Sequence, residues 1–241
     1  KSFVHSFGCF AARRCFDQAF LAAGYSQVPV HIIGSDPGVT AAFNGATHMP
    51  FEDGALYMTV PGAVVIDSCD YVQTKSLTKK LAEYPKLSYM RLIRKNFKTI
   101  YADGSEFEIG KGVTLKDGKD VTIIASGIML DEALRAEEIL SAEGISARVI
   151  DMHTWKPIDE ELICKAAEET GCIVTAENHQ VGCGLGSAVA NVLVANKPVP
   201  MERVGIQDRF GQVGPQDFLM KEYNLMAEDI VEAVKKVISR K

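Results

Sequence analysis

Apolar residues in this chain fall into short bursts whose spacing switches between a strand-like and a helix-like period, and the switching occurs in two blocks. Residues 3–7, FVHSF, and 28–33, VPVHII, read as strands. The second has so little polar alternation that burial on both faces is expected. Between them, residues 8–24 are alanine-rich, with Phe10, Phe16, Ala19 and Phe20 at roughly helical spacing and Gly24 as a stop. After a long loop, residues 52–59 form a short helix that ends before Pro61-Gly62. Ala63 to Ile66 is a strand, Asp67 or Ser68 caps a helix to about Leu81, and Leu87 to Leu92 is a strand again.

The pattern then breaks. Residues 95–119 are rich in Lys, Gly and Asp and read as a connecting arm. A second block follows, with strands at Val121–Ala125, Ala147–Asp151, Cys172–Ala176 and Met201–Val204. Its helices are Leu130–Glu143, Asp159–Thr170, Gly186–Asn196 and Ala227–Lys241. Strand–helix alternation implies parallel pairing with right-handed crossovers. The fold class is therefore α/β, as two consecutive domains, each a mainly parallel sheet flanked by helices. The expected boundaries are 1–97, an arm at 98–118, and 119–241.

Composition narrows the partners. The 241 residues are 47% hydrophobic and 24% charged, with a formal net charge of -5. That balance argues against a nucleic-acid surface, which needs clustered Lys and Arg. No apolar run reaches the roughly 18 residues that span a bilayer, so no membrane is expected. Six cysteines without a C-x-x-C pair read as reduced thiols of a cytoplasmic protein, and no metal site is expected on this chain. The chain opens on Lys1, almost directly before an apolar stretch, and is expected to begin inside a longer gene product.

The longest connection, Gly34 to Asp53, holds Asn44-Gly45-Ala46-Thr47-His48, which offers a hydroxyl beside an imidazole. Phe7 and Phe10 flank the first strand-to-helix turn; two aromatics there could stack on a flat heterocycle, but on the residues alone ordinary core packing is the better reading. Arg91 and Arg94 end a strand on opposite faces, and one of them suits a phosphate or carboxylate. Gly182-Cys183-Gly184-Leu185-Gly186 is G-x-G-x-G rather than a dinucleotide fingerprint, and Glu177 to Gln180 intervene before it; close helix–strand packing explains it better. Glu177 and His179 form an interface pair or a ligand pair, and His153 lies in a strand-to-helix loop.

Five stretches coincide in order and spacing with one family: SFGCFAARRCFDQ, FNGATHMPFEDGALYMTVPGAVV, YMRLIRKN, ARVIDMHTWKPID and TAENHQVGCGLGSAV. On these the chain resembles the carboxyl-terminal half of transketolases, a pyrimidine-binding domain followed by the C-terminal domain. The resemblance implies thiamine diphosphate chemistry, in which a two-carbon ketol unit passes from a ketose, commonly phosphorylated, to an aldose. It assigns the pyrimidine pocket to Phe7 and Phe10 and the residue over the reaction centre to His48. Thr47 and Asn44 fall on the substrate loop, and Arg94 on the arginine that binds a substrate phosphate.

Three positions depart from the family pattern: its aspartate is Asn44 here, the residue after Thr47-His48, usually glutamine, is Met49, and a histidine at the start of the loop is Asp36. The family's activating glutamate falls upstream of Lys1. No diphosphate-binding motif is present, so the resemblance implies an N-terminal partner subunit carrying that domain with its Mg2+ or Ca2+. Like chains would pair by two-fold symmetry within a heterotetramer. Two alternatives share the architecture: a β subunit of a 2-oxo acid dehydrogenase or deoxyxylulose-phosphate-synthase-like enzyme, and a non-catalytic assembly subunit.

Overall fold

The computed structural model describes residues 1–95 and 97–241. Two five-stranded sheets form, as the alternation predicts. The first contains β1 (Ser2–Phe7), β2 (Val30–Ser35), β3 (Val64–Asp67), β4 (Ser88–Leu92) and β8 (Thr154–Lys156), in the order β1-β2-β4-β3-β8. The second contains β5 (Val113–Lys116), β6 (Val121–Ala125), β7 (Ala147–Asp151), β9 (Ile173–Gln180) and β10 (Met201–Ile206), in the order β10-β9-β6-β7-β5. All pairings are parallel except β3 with β8 and β5 with β7.

Sheet membership crosses the expected boundaries twice. β5 lies within the arm and becomes an edge of the second sheet. β8 lies within the second block and pairs with β3 through Val65–Lys156 and Ile66–Thr154. Its sequence, Thr-Trp-Lys before a proline, falls in the expected strand-to-helix loop, because three residues carry too little periodicity to declare a strand. Trp155 is fully buried there and donates Nε1–H to Ser126 Oγ at 3.0 Å. Lys156 Nζ donates to the carbonyls of Met58 and Val60, both at 2.7 Å, and so covers the open end of helix α2 (Asp53–Met58).

The expected first helix is not continuous. Only α1 (Phe16–Gln18) is α-helical, between π-helical Phe10–Arg14 and Ala19–Tyr25. Helix α3 (Tyr71–Glu83) is capped by Asp70, whose side chain accepts from the Gln73 amide, not by Asp67 or Ser68. Asp67 instead enters the core.

In the second block, α4 (Met129–Ala142), α5 (Glu160–Thr170), α6 (Leu185–Asn196) and α8 (Ala227–Ile238) match the predicted helices. The short α7 (Gln216–Glu222) falls in a stretch without a clear signal. Strand β9 runs four residues past its expected end. Glu177 and His179 are thus fully buried strand residues rather than loop residues.

A buried ionic cluster fastens the two sheets together. Arg91 has no exposed surface; its Nε lies 3.0 Å from Asp53 Oδ2 and its Nη1 3.2 Å from Asp67 Oδ2. Its Nη2 donates to the carbonyl of Asn178 at 2.9 Å. Asp67 also accepts from Ser126, and Asp53 from the Tyr89 hydroxyl. Burial pushes the Asp67 carboxyl up despite the guanidinium beside it. The two carboxylates hold Arg91 more firmly protonated than usual against the opposing effect of burial.

Burial pushes Glu177 up to about 8, while its oxygens accept from the Leu185 and Gly186 amides opening α6. A Cβ at Gly184 would stand 1.9 Å from Glu177 Oε2, so the glycines there admit this carboxylate.

The arm is pinned to both domains. Asp70 Oδ2 accepts from the Ile100 and Tyr101 amides, and the Tyr101 hydroxyl donates to Asp151 at 2.7 Å. Asp151 also accepts from Gln73, and burial pushes its carboxyl up.

Candidate active site

The carboxyl ends of β1, β2 and β4 are level: Phe7 is paired with Ser35, and Ser35 with Leu92. Side chains just beyond those positions emerge around one edge, where open parallel sheets place their sites. Phe7 and Phe10 meet edge to face, with centroids 6.1 Å apart at 83°. His48 stands against both, 5.6 Å from Phe7 and 5.1 Å from Phe10. Arg94 Cζ lies 5.2 Å from the Phe7 centroid. Of the residues singled out in the sequence, Phe7, Phe10, Thr47, His48, Asp36 and Arg94 therefore share one neighbourhood. Asn44 is exposed at the end of the turn Gly38–Asn44, and its side chain makes no hydrogen bond among the described residues.

Thr47 Oγ1 is 2.9 Å from His48 Nδ1. That contact occupies one ring nitrogen and leaves Nε2 to meet a ligand. With Thr47 donating, Nε2 carries the ring proton; with Thr47 accepting, Nε2 is free to take one.

The loop bearing His48 is held from two sides. Arg13 donates to the Thr47 carbonyl at 3.1 Å and pairs with Glu52 at 3.2 Å. Burial raises the Glu52 carboxyl, with Arg13 opposing it. The second domain reaches in through Asn178, whose Oδ1 accepts from the Val39 amide and whose Nδ2 donates to the Pro37 carbonyl. Gly38, at φ 54, leaves room for that amide; a Cβ would stand 2.1 Å from its oxygen. Asp36 at φ 57 and Ala42 at φ 47, ψ −115 are strained positions inside the same loop.

Arg13, Arg14 and Asn178 carry no functional reading in the sequence. The Arg13-Arg14 doublet is the available signal, and Arg14 stacks over Phe10 with Cζ 4.3 Å from the ring. Arg91 is a candidate anion-binding residue by sequence, and its complete burial among two carboxylates replaces that role with a structural one. The likewise buried His179 has its imidazole pK pushed down to about 4, chiefly by burial and then by Arg91.

The aromatic pair fits one side of a flat ring. Phe7, Phe10 and His48 are each only half-buried, and Thr47 is exposed, so this chain builds an open half-site. Among the described residues, no three His, Cys, Asp or Glu side chains gather as a metal site would require. No helix is long and apolar enough to cross a membrane.

Residues 1–99 match the pyrimidine-binding domain of transketolase and residues 110–230 its C-terminal domain. The chain is 44% identical to the 6-deoxy-6-sulfo-D-fructose transketolase subunit SqwH of Clostridium sp. strain MSTE9, over 99% of this chain and 74% of that protein. It is 39% identical to a subunit of the apulose-4-phosphate transketolase of Phocaeicola vulgatus, over 100% of this chain and 77% of that one. A solved structure described as a split gene transketolase, an inactive beta4 tetramer, superimposes with a TM-score of 0.93 at 42% identity, over 98% of this chain and 76% of that one. With both domain matches in order and relatives at this identity along the full chain, the protein belongs to the transketolase family, whose members depend on thiamine diphosphate.

Proposed function

We propose that this chain is the C-terminal subunit of a split transketolase, and that it moves a two-carbon ketol unit from a ketose with an anionic end group to an aldose. One observation carries the reading. His48, bonded to Thr47, stands against both rings of the Phe7–Phe10 pair, and the Arg94 guanidinium packs on the Phe7 ring. That arrangement offers a stacking surface, a proton-handling group and an anion-binding group in one neighbourhood.

Thiamine diphosphate, when bound, supplies the nucleophilic carbon of the reaction. Phe7 and Phe10 would hold its pyrimidine by offering apolar ring surface to it. His48 Nε2 would hydrogen-bond the sugar oxygens nearest the reacting carbon and hold or release a proton there. The terminal nitrogens of Arg94 would grip the end group of the sugar. The half-open site calls for a second subunit to supply the diphosphate and metal contacts and to close the pocket. The solved relative described as an inactive tetramer of beta chains agrees with that need. Two related subunits are named for a sulfonated and a phosphorylated sugar, which supports an anionic substrate.

The test is reconstitution. The chain is mixed with a matching N-terminal subunit, thiamine diphosphate and magnesium, and ketol transfer to an aldose is followed. Transfer that requires both subunits is expected. Decarboxylation of a 2-oxo acid without ketol transfer would overturn the reading.

A further inference from the structure

We propose that Asp36 sets the charge selectivity of the site: by neutralising Arg94 it favours a singly charged end group, of the sulfonate type, over doubly charged phosphate. This inference rests on the site assignment above and concerns which substrate that site prefers.

Asp36 is held where a flexible surface residue would not stay. It lies just past β2 in a left-handed conformation, and its amide donates to the Leu92 carbonyl at 3.0 Å. Aspartate tolerates that conformation better than most residues, although the following Pro37 disfavours it. The carboxylate is therefore anchored to the same strand end that launches Arg94. Its side chain is 1% exposed, and that of Arg94 is 56% exposed.

Both carboxylate oxygens address one nitrogen. Arg94 Nε lies 3.1 Å from Oδ2 and donates to Oδ1 at 3.3 Å. The inner edge of the guanidinium is thereby used. Its two terminal amino groups carry no other bond among the described residues, and four N–H groups are enough to grip an oxyanion. The hydrogen-bonding capacity of Arg94 survives while its net charge is cancelled.

That separation decides between ligands. A sulfonate and a phosphate are both tetrahedral and present the same acceptor oxygens, so each collects the same hydrogen bonds. They differ by nearly one charge at neutral pH. At a lone arginine the extra charge is rewarded. Beside a formally neutral pair it gains almost nothing from the guanidinium that the buried carboxylate does not take back.

The neighbouring cations are held elsewhere: Arg14 stacks over Phe10, whereas Arg94 stacks over Phe7. Arg13 is committed to Glu52 and the Thr47 carbonyl. Lys75 and Lys95 line a cleft of about 590 Å³ that Arg94 borders, but its walls include none of Phe7, Asp36 or His48.

The test compares wild type with Asp36→Asn, because asparagine adopts the left-handed conformation and its amide oxygen still accepts from Arg94 Nε. In the reconstituted enzyme, kcat/KM is measured for one ketose bearing a 6-sulfonate or a 6-phosphate. Wild type is expected to prefer the sulfonate, and the substitution to shift the ratio toward phosphate by about tenfold, the size of one unit-charge interaction in a partly exposed site. A second measurement needs no turnover: methanesulfonate and methyl phosphate are titrated into the chain at pH 8, and the Arg94 Nε–H resonance is followed. The same ranking and the same shift are expected. A wild-type preference for phosphate in either measurement, or an unchanged ratio in Asp36→Asn, overturns the proposal. Lack of turnover with the ranking intact in the titration removes the transketolase reading and leaves the selectivity standing.

Discussion

Arg94 packs its guanidinium over the Phe7 ring, 5.2 Å from the centroid, while the same ring receives His48 on its edge. A cation on a ring face gains about 0.5–2 kcal/mol, depending on how far it is removed from water. The contact therefore places Arg94 as well as holding it.

His48→Ala is expected to lower kcat of the reconstituted enzyme by about 100-fold or more, the usual contribution of a positioned proton-transfer group. The half-buried ring makes few core contacts, so the melting temperature is expected to move by no more than about 2 °C. Steady-state kinetics paired with a thermal melt separate the two effects. Unchanged kcat would remove His48 from the mechanism.

Arg94→Ala is expected to raise KM for anionic ketoses by about tenfold to a hundredfold while changing KM for an uncharged ketose little. It also leaves the buried Asp36 carboxylate without its cation, at a cost of about 1–3 kcal/mol in urea unfolding. Adding Asp36→Asn to Arg94→Ala is expected to recover most of that stability without recovering KM. Equal KM changes for charged and uncharged substrates would contradict the assignment.

Arg91→Met is expected to be severe. It strands Asp53 and Asp67 in a dry interior, and breaking a buried pair from one side costs about 3–5 kcal/mol. Urea denaturation reads this directly. A loss below about 1 kcal/mol would mean that water reaches the cluster.

Trp155→Ala empties the space between β8, α2 and Ser126, at an expected cost of about 3–5 kcal/mol. Because Trp155 belongs in sequence to one block and in space to the other, the two blocks are expected to unfold together. Calorimetry showing two separate transitions in the wild type would refute that coupling.

His179 supplies a pH test. Its folded-state pK of about 4 lies below the ordinary 6.5, so the folded chain binds fewer protons than the unfolded chain between those values. Its contribution to stability is complete above pH 6.5 and is lost as pH falls toward 4. Glu177 works in the opposite sense: its pK of about 8 means that stability is lost as pH rises from about 4.5 to 8. Comparing wild type with His179→Gln isolates the first effect. The stability difference between them is expected to change by about 1.4 kcal/mol per pH unit between 6.5 and 4. A flat difference would show that His179 is protonated within the fold.

The parts of the fold that could be read from sequence are those whose burial is local. The VPVHII strand, the amphipathic helices and the long loop all declare themselves through their own spacing. The parts that could not be read are held by distant partners. Glu177, Asn178 and His179 look like a polar loop, yet Asn178 meets Arg91 and Val39, 87 and 139 residues away in sequence. Such polar residues are tolerated in a strand only because their partners arrive with the fold. Arg91 presents the converse case: its charge resembles a ligand-binding group until Asp53 and Asp67 are seen around it. In the site, the loop motif brought His48 and Thr47 into view, whereas the Asp36–Arg94 pairing depends on the level ends of β2 and β4.

The three residues of β8 also govern where this polypeptide tolerates division. Cleavage within the arm would assign the edge strand of the first sheet to the other fragment, together with the tryptophan and lysine that seal it. The amino-terminal fragment would be left with a bare sheet edge, a surface prone to self-association. The two fragments would regain their shape only by complementing one another. A gene that keeps both domains in a single reading frame avoids having to reassemble one sheet from two products.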